Sequence, residues 1–168
     1  MENMEPIISI AHFKMQFGKT EVIKDLSFEV KRGETFGFLG SNGSGKTTTI
    51  RALLGIYQPT AGELLVGGKP YSVSSGIKLG YLPEERGLYK KESVIDIMTY
   101  FGQLKGMSRL DARQKSLDFL KRVDLLDKAK TRLDKLSGGQ QQKVQLGITV
   151  IDNPELLILD EPTKGFDP

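Results

Sequence analysis

Residues 40–47 read Gly40-Ser41-Asn42-Gly43-Ser44-Gly45-Lys46-Thr47. This stretch fits G-x-x-x-x-G-K-[ST], in which a curled backbone points several N–H groups inward at a phosphate chain. Thr35–Leu39 precedes it as a predicted strand, and Thr48–Leu54 follows as a predicted helix, whose N-terminus adds its positive dipole end. The sequence therefore predicts a phosphate-binding loop between a strand and a helix. A plain glycine-rich turn is the alternative.

Two pairs of residues are candidates for the chemistry. Lys46 is expected to meet the β- and γ-phosphates of a nucleotide, and Thr47 to place its hydroxyl on a bridging Mg²⁺. The apolar run Leu156–Leu159 predicts a strand buried on both faces of a parallel sheet, and Asp160 and Glu161 follow it. Burying such acids without a cation is costly, so Asp160 is expected to hold Mg²⁺ through water and Glu161 to act as general base. A solvated acidic turn is the alternative.

Composition excludes several classes of protein. The 168 residues, 38% hydrophobic and 27% charged, have the proportions of one globular domain. The 24 Lys and Arg against 21 Asp and Glu leave a net charge of +3 without a run of five or more like charges, so no nucleic-acid partner is expected. The lack of cysteine excludes disulfides and thiolate metal sites. No segment approaches the roughly 18 apolar residues of a membrane span, so any membrane role would come from a partner.

Apolar patterns predict the other elements. The further strand candidates are Ile7–Ile10, the alternation Leu26, Phe28 and Val30, then Leu64–Val66 and Lys78–Leu82. Ser93 and Ser108 each precede an Asp by three residues, which predicts two N-capped helices. Their apolar faces are predicted to be Ile97, Phe101 and Leu104 on one helix, and Leu117, Leu120 and Val123 on the other. No internal repeat or linker divides the chain.

A second glycine motif, Leu136-Ser137-Gly138-Gly139-Gln140, precedes the helix-forming run Gln141–Leu146. Its serine hydroxyl and N–H groups would lie at a helix N-terminus, which again suits an anion. With these three motifs in this order, the chain resembles the nucleotide-binding subunits of ATP-binding cassette (ABC) transporters, whose signature is LSGGQ. The resemblance spans essentially the whole chain. It implies an α/β fold: a P-loop core, a small antiparallel β subdomain and an inserted helical subdomain at about residues 93–136.

The resemblance implies a head-to-tail pair of identical or different subunits. ATP would lie between the phosphate loop of one subunit and the LSGGQ motif of the other. Phe17 matches the family's aromatic residue that stacks on adenine, and a packed strand aromatic is the alternative. The nucleotide-binding residues would be Phe17, Gly40, Ser41, Asn42, Gly43, Ser44, Gly45, Lys46, Thr47, Thr48, Ser137, Gly138, Gly139 and Gln140.

Some positions depart from the family pattern. The segment from Gly80 resembles the family's glutamine loop, but Glu84 replaces the glutamine. Beside Asp160 and Glu161, Glu84 could ligate Mg²⁺ and act in catalysis, or it could belong to an exposed acidic turn with Glu85. Thr163–Asp167 matches the aspartate loop that contacts the partner subunit.

The family's switch histidine has no counterpart in this sequence. The single histidine, His12, lies on an early strand and is expected to be a surface or packing residue. The resemblance therefore suggests an incomplete ATP-binding domain, an N-terminal fragment that stops before the C-terminal strands and hydrolyses ATP slowly or not at all.

The function implied is an ATP-binding and ATP-hydrolysing subunit of a membrane transporter. Such a subunit lies in the cytoplasm on the inner face of the membrane, bound to a separate membrane-spanning permease. Residues 80–89 are similar to those of drug or sodium exporters. The alternatives are a soluble family ATPase acting on nucleic acid or ribosomes, a P-loop kinase or GTPase, and a nucleotide-binding module without turnover.

Overall fold

The structure, a computed structural model, describes residues 5–72, 76–84 and 91–162. The chain divides into two compact units, Met1–Ile77 and Lys78–Pro168. The first unit contains β1 (Ile8–Phe17), β2 (Thr20–Val30), α1 (Lys46–Leu53) and β3 (Ala61–Val66). The second unit contains β4 (Leu79–Leu82), α2 (Val94–Leu104), α3 (Arg109–Arg122), α4 (Gly138–Val150) and β5 (Leu156–Leu159). This order confirms the α/β class.

In the first unit, β1 is the central strand of an antiparallel sheet with the order β2-β1-β3. The small antiparallel subdomain is therefore present. Three of the predicted strands, at Ile7–Ile10, Leu26–Val30 and Leu64–Val66, are found, but β1 and β2 continue well past the apolar residues that predicted them, because ladder pairing also holds their polar positions. The buried apolar residues of this unit include Ile8, Ile10, Phe13, Met15, Ile23, Val30, Leu53, Leu64 and Val66.

A bulge interrupts β1. Between Ile10 and Phe13, β1 advances three residues while β2 advances two, and the pairing with β3 is irregular at the same place. His12 lies in the bulge with a φ of 49°. Opposite it, Gly62 has a φ of 85°, and a Cβ there would come within 2.3 Å of the His12 carbonyl oxygen. The extra residue moves the buried face from Ile8 and Ile10 to odd-numbered positions further along.

In the second unit, β4 and β5 pair in parallel, with Leu79 opposite Leu156 and Leu82 opposite Leu159. Helix α4 lies close to β4 at Gly80, where a Cβ would be 2.8 Å from the Thr149 carbonyl oxygen. The helices enclose a core formed by Val94, Ile95, Ile97, Met98, Leu120, Leu125, Ala129, Leu133, Leu136, Val144 and Ile148. This packing brings α4, which begins at the second glycine motif, against α2 and α3.

The predicted caps of α2 and α3 are confirmed. The Ser93 Oγ accepts a hydrogen bond from the Asp96 N–H, and the Ser108 Oγ accepts one from the Asp111 N–H. The predicted apolar face of α3 also packs into the core. On α2 the prediction fails at Leu104, which is 63% exposed. Leu104 is the last residue of α2 and lies beyond Gly102, the last buried position of that helix.

Two predictions about strands are wrong. Thr35–Leu39 is not a strand, and its Leu39 is 91% exposed, because no strand in the described part of the chain pairs with this segment. An apolar segment becomes a strand only when a neighbour satisfies its N–H and C=O groups. Strand β5 is not buried on both faces either, since Leu157 and Leu159 are 43% and 38% exposed. Within the described residues its ladder partner is β4 alone.

Candidate nucleotide-binding site

The phosphate loop closes on itself through its lysine. The Lys46 Nζ donates hydrogen bonds to the carbonyl oxygens of Gly40 at 2.8 Å and Ser41 at 3.1 Å. The Ser44 N–H donates to the Ser41 carbonyl oxygen at 3.1 Å. The Lys46 side chain thus reaches from the start of α1 back to the first two residues of the loop.

Two glycines of this loop lie in tight surroundings. Gly45 has a φ of 91°, and a Cβ on it would lie 2.2 Å from the Cδ1 of Ile23 on β2. A Cβ on Gly40 would lie 2.6 Å from the Ser44 Oγ. The loop therefore packs against β2 at Gly45 and against its own serine at Gly40, and the positive φ of Gly45 is one that glycine adopts without strain.

Helix α1 begins in this loop without a side-chain cap on its N-terminus. The Thr49 N–H and hydroxyl both donate to the Gly45 carbonyl oxygen, at 2.8 and 2.9 Å. Thr47 and Thr48 are partly buried in the first turn, and Asn42 and Gly43 are exposed at the loop tip. Because the first N–H groups of a helix lack intrahelical partners, this terminus can accept an anion.

Phe17 ends β1, paired with Thr20 across the hairpin, and is 45% exposed. Its ring packs against Tyr57 with centroids 5.3 Å apart and an interplanar angle of 79°. Packing of Phe17 as a strand aromatic, the alternative to stacking on adenine, therefore accounts for only the covered part of its ring. Sequence reasoning missed Tyr57 because nothing in the spacing of residues 17 and 57 suggests that they meet.

The second glycine motif forms the predicted helix N-terminus. The Ser137 Oγ accepts a hydrogen bond from the Gln140 N–H at 3.3 Å, and the Gln140 Oε1 accepts one from the Ser137 N–H at 3.0 Å. This reciprocal pair is a capping box. Ser137 is exposed, while Gly138 and Gly139 are partly buried in the first turn of α4.

Asp160 follows β5 and is 3% exposed. Its N–H donates to the Leu82 carbonyl oxygen at 2.9 Å, which extends the β4–β5 ladder by one residue. Its Oδ2 is buried and receives no hydrogen bond from the described residues. A buried carboxylate oxygen of this kind is costly unless a cation or a donor meets it, and a hard oxygen ligand suits Mg²⁺. Asp160 therefore fits the predicted metal role.

Glu161 and Glu84 lie at the same edge of the β4–β5 pair, because each follows the last paired residues, Leu82 and Leu159, by two positions. Glu161 is exposed with a φ of 51°, and Glu84 is partly buried. No three acids or histidines among the described residues gather as a metal site, so Glu84 does not complete one with the two acids after β5.

The remaining residues singled out by the sequence are His12, Glu85 and the segment 163–167. His12 is a surface residue, as expected, and its Nδ1 lies 3.3 Å from the Asp25 Oδ1. Glu85 and the segment 163–167, predicted to contact a partner subunit, lie outside the described residues.

Comparison with known proteins decides the family. A family model described as ABC transporter matches residues 23–164. The chain belongs to the ABC transporter ATP-binding family. It is 44% identical over 165 residues to an uncharacterized ABC transporter ATP-binding protein of Methanocaldococcus jannaschii, covering 98% of this chain and 59% of that protein. It is 36% identical to the Nod factor export ATP-binding protein I of Cupriavidus pinatubonensis, covering 96% of this chain and 51% of that protein.

Solved structures agree. The fold matches cbiO1 from Clostridium perfringens, described as part of the ABC transporter complex cbiONQ, with a TM-score of 0.81 and 27% identity. That match covers 97% of this chain and 68% of cbiO1. The chain thus spans between 51% and 68% of the length of these relatives. Among its described helices, none combines the length and the apolar character needed to cross a bilayer.

Proposed function

We propose that this ABC chain is the nucleotide-binding part of a transporter subunit that binds MgATP and hydrolyses it. The observation that carries the proposal is the loop Gly40–Thr47, where the Lys46 ammonium is hydrogen-bonded to the start of the loop and the helix behind it lacks a side-chain cap. Such a loop offers a positive charge together with the uncapped N–H groups of a helix N-terminus, which suits a chain of phosphates.

Each residue has a proposed part in hydrolysis. Lys46 would exchange its carbonyl partners for the β- and γ-phosphate oxygens, and Glu161 would orient the attacking water. Thr47 and Asp160 are the proposed metal ligands, and a bound Mg²⁺ would neutralise phosphate charge. As the water oxygen bonds to the γ-phosphorus, the bond to the β–γ bridging oxygen breaks and ADP leaves, while Glu161 as the proposed general base accepts the proton of the water. The residues otherwise contribute mainly position and charge. A catalytic part for Glu84 stays a prediction from the sequence alone.

The proposed partners follow from the family. A second ATPase subunit, identical or different, would present its Ser137–Gln140 motif to the ATP held by this chain. A membrane-spanning permease would bind the pair on the cytoplasmic face of the membrane. The name of the Nod factor export relative supports export as the direction of transport. Residues 93–136 are proposed as the helical subdomain of an ATP-binding domain that covers the whole chain.

ATP binding is the first test. Isothermal titration calorimetry with MgATP should give saturable binding to the chain, and Lys46→Ala should weaken it by about 100-fold, because two or more charge-assisted hydrogen bonds to phosphate are lost. Lys121→Ala, which removes an exposed lysine on α3, is the matched control and should bind ATP as the parent does. Equal affinity of the Lys46→Ala variant and the parent would contradict the proposal.

Hydrolysis and nucleotide choice are measured next. Phosphate release by the parent should exceed that of Glu161→Gln, and an absence of turnover in the parent would leave only the nucleotide-binding alternative. Competition with GTP tests the GTPase alternative, which requires GTP to be preferred over ATP. The kinase alternative requires a second substrate to be preferred over water as the acceptor of the phosphoryl group.

A further inference from the structure

The exposed ring of Phe17 is held by a second aromatic residue. Tyr57 lies nearly perpendicular to it, at a centroid distance of 5.3 Å. Perpendicular packing is a preferred arrangement of two aromatic rings, since the edge of one meets the face of the other. Because Phe17 is still 45% exposed, this contact fixes the orientation of its ring and leaves part of the ring surface accessible.

Tyr57 is in turn held by Arg51. The Arg51 Nη1 donates a hydrogen bond to the Tyr57 Oη at 3.1 Å, and the guanidinium carbon lies 5.9 Å from the centroid of the Tyr57 ring. That distance is within the range of a cation–π contact. Arg51 lies in the last turn of α1, about 7.5 Å along the helix axis from Lys46. The same short helix therefore carries the phosphate-loop lysine and the support of the aromatic pair.

The backbone near Phe17 is also tied to the phosphate loop. Gly45 packs against Ile23, two pairings before the end of the hairpin at Phe17. The Gln16 N–H donates to the Thr60 Oγ1 at 2.9 Å, which fixes the end of β1 to the segment that follows Tyr57. The aromatic pair thus has a defined position relative to the loop within the first unit.

We propose that Tyr57 is a positioning residue for nucleotide binding: it sets the Phe17 ring in the orientation that stacks on the base, and Arg51 locks Tyr57 in place. This inference rests on the proposed function, because it requires that the phosphate loop binds a nucleotide whose base meets Phe17. Tyr57 belongs to none of the sequence motifs. Tyr57 should therefore affect the affinity for a ligand that has a base and not the affinity for phosphates alone.

The experiment uses the absence of tryptophan from the sequence. Phe17→Trp introduces a single indole at the proposed stacking position, and its fluorescence reports contact with the base. Tyr57→Leu and Tyr57→Phe are then made both in this background and in the parent chain. MgATP is the first probe, and magnesium tripolyphosphate, which has the phosphates but no base, is the second. Calorimetry in the parent background measures both affinities without relying on the tryptophan.

The matched control is Tyr100→Leu. Tyr100 packs edge-on against Phe101 on α2, with centroids 5.6 Å apart and an angle of 76°. It is therefore the same substitution at a similar aromatic pair in the other unit. Thermal unfolding of all variants is followed alongside the titrations.

Tyr57→Leu should weaken MgATP binding by about 3- to 10-fold, the equivalent of one lost aromatic contact, and should reduce the tryptophan quenching by ATP. Its affinity for tripolyphosphate should be unchanged. Tyr57→Phe keeps the ring and should remain within about 2-fold of the parent, and Tyr100→Leu should bind both probes as the parent does.

Three outcomes overturn the inference while the proposed function stands. These are unaltered ATP affinity in Tyr57→Leu, a parallel loss of ATP and tripolyphosphate affinity, which indicates a merely structural role, and ATP binding without quenching of Trp at position 17. If the parent chain binds neither probe, the proposed function fails and the inference fails with it.

Discussion

The two glycine-containing loops of this protein lead into helices in different ways. At α1 the cap position is Gly45, which has no side chain, and Lys46 turns back to the carbonyl oxygens at the start of its own loop. At α4, Ser137 and Gln140 satisfy each other's N–H groups in a capping box. Both loops contain serine and glycine, yet only the second loop caps the N-terminus of its own helix with side chains.

The difference indicates that the two loops have different parts in nucleotide binding. The first loop offers uncapped helix N–H groups and a cation, so it can bind a phosphate chain within one subunit. The second loop has already paired two of its N–H groups and presents the exposed Ser137 on the end of a finished helix. We therefore expect the second loop to contact a nucleotide that is already bound by the phosphate loop of another subunit. Three substitutions, in decreasing order of expected effect, test this contrast.

The largest effect is expected at the first loop's backbone. Gly45→Ala forces a Cβ into positive φ and displaces the Ile23 side chain, and should lower the free energy of unfolding by about 2 kcal/mol. Gly43→Ala is the matched control, because Gly43 also has positive φ, 80°, but a Cβ there would meet nothing within 4 Å, and it should cost about 1 kcal/mol. Urea unfolding followed by circular dichroism measures both. Equal losses would mean that packing against β2 does not hold the loop.

A smaller effect is expected at the second loop. Ser137→Ala removes the cap of α4 and should lower the free energy of unfolding by about 1 kcal/mol, without changing the affinity of a single chain for MgATP. Ser108→Ala removes the comparable cap of α3 and should cost about the same. ATP-dependent pairing, followed by analytical ultracentrifugation, should weaken for Ser137→Ala alone. A weaker single-chain affinity in that variant would break the proposed division between the loops.

The smallest effect is expected at the other half of the capping box. Gln140→Ala leaves the Ser137 N–H to water and should cost about 0.5 kcal/mol in urea unfolding. Gln140→Glu keeps the acceptor and adds a negative charge near the helix N-terminus, so it should be at least as stable as the parent. A destabilised Gln140→Glu variant would show that the box contributes less than its geometry indicates.

The sequence predicted well those features of the fold that depend only on neighbouring residues. The serine caps of α2 and α3 and the end of β5 at Asp160 follow from a few neighbouring residues. Thr35–Leu39 failed because a strand requires a partner, and apolar letters do not say whether one is present. The exposed faces of Leu157 and Leu159 have the same origin, since burial depends on what covers a strand.

The site divides in the same way. The phosphate loop and the Ser137–Gln140 motif are each contiguous in sequence, so residue types and spacing were sufficient to predict that a helix begins at each of them, whereas the capping box at Ser137 and Gln140 was not predicted. The contact of Phe17 with Tyr57 joins residues from a strand end and from beyond α1, and depends on where the chain turns between them. No pattern of spacing contains that information. An aromatic residue shortly after a helix that starts at a phosphate loop is the only signal available.

The bulge in β1 has a consequence for how chains of this kind tolerate insertion and deletion. Because one extra residue at His12 shifts the inward positions, Phe17 has the same parity as the buried Phe13 and Met15. A chain one residue shorter there would keep every hydrophobic letter and every glycine motif, yet its aromatic side chain would emerge from the reverse side of the sheet. The face of the sheet on which Phe17 lies thus depends on the strand pairing and not only on the residue's place in the sequence.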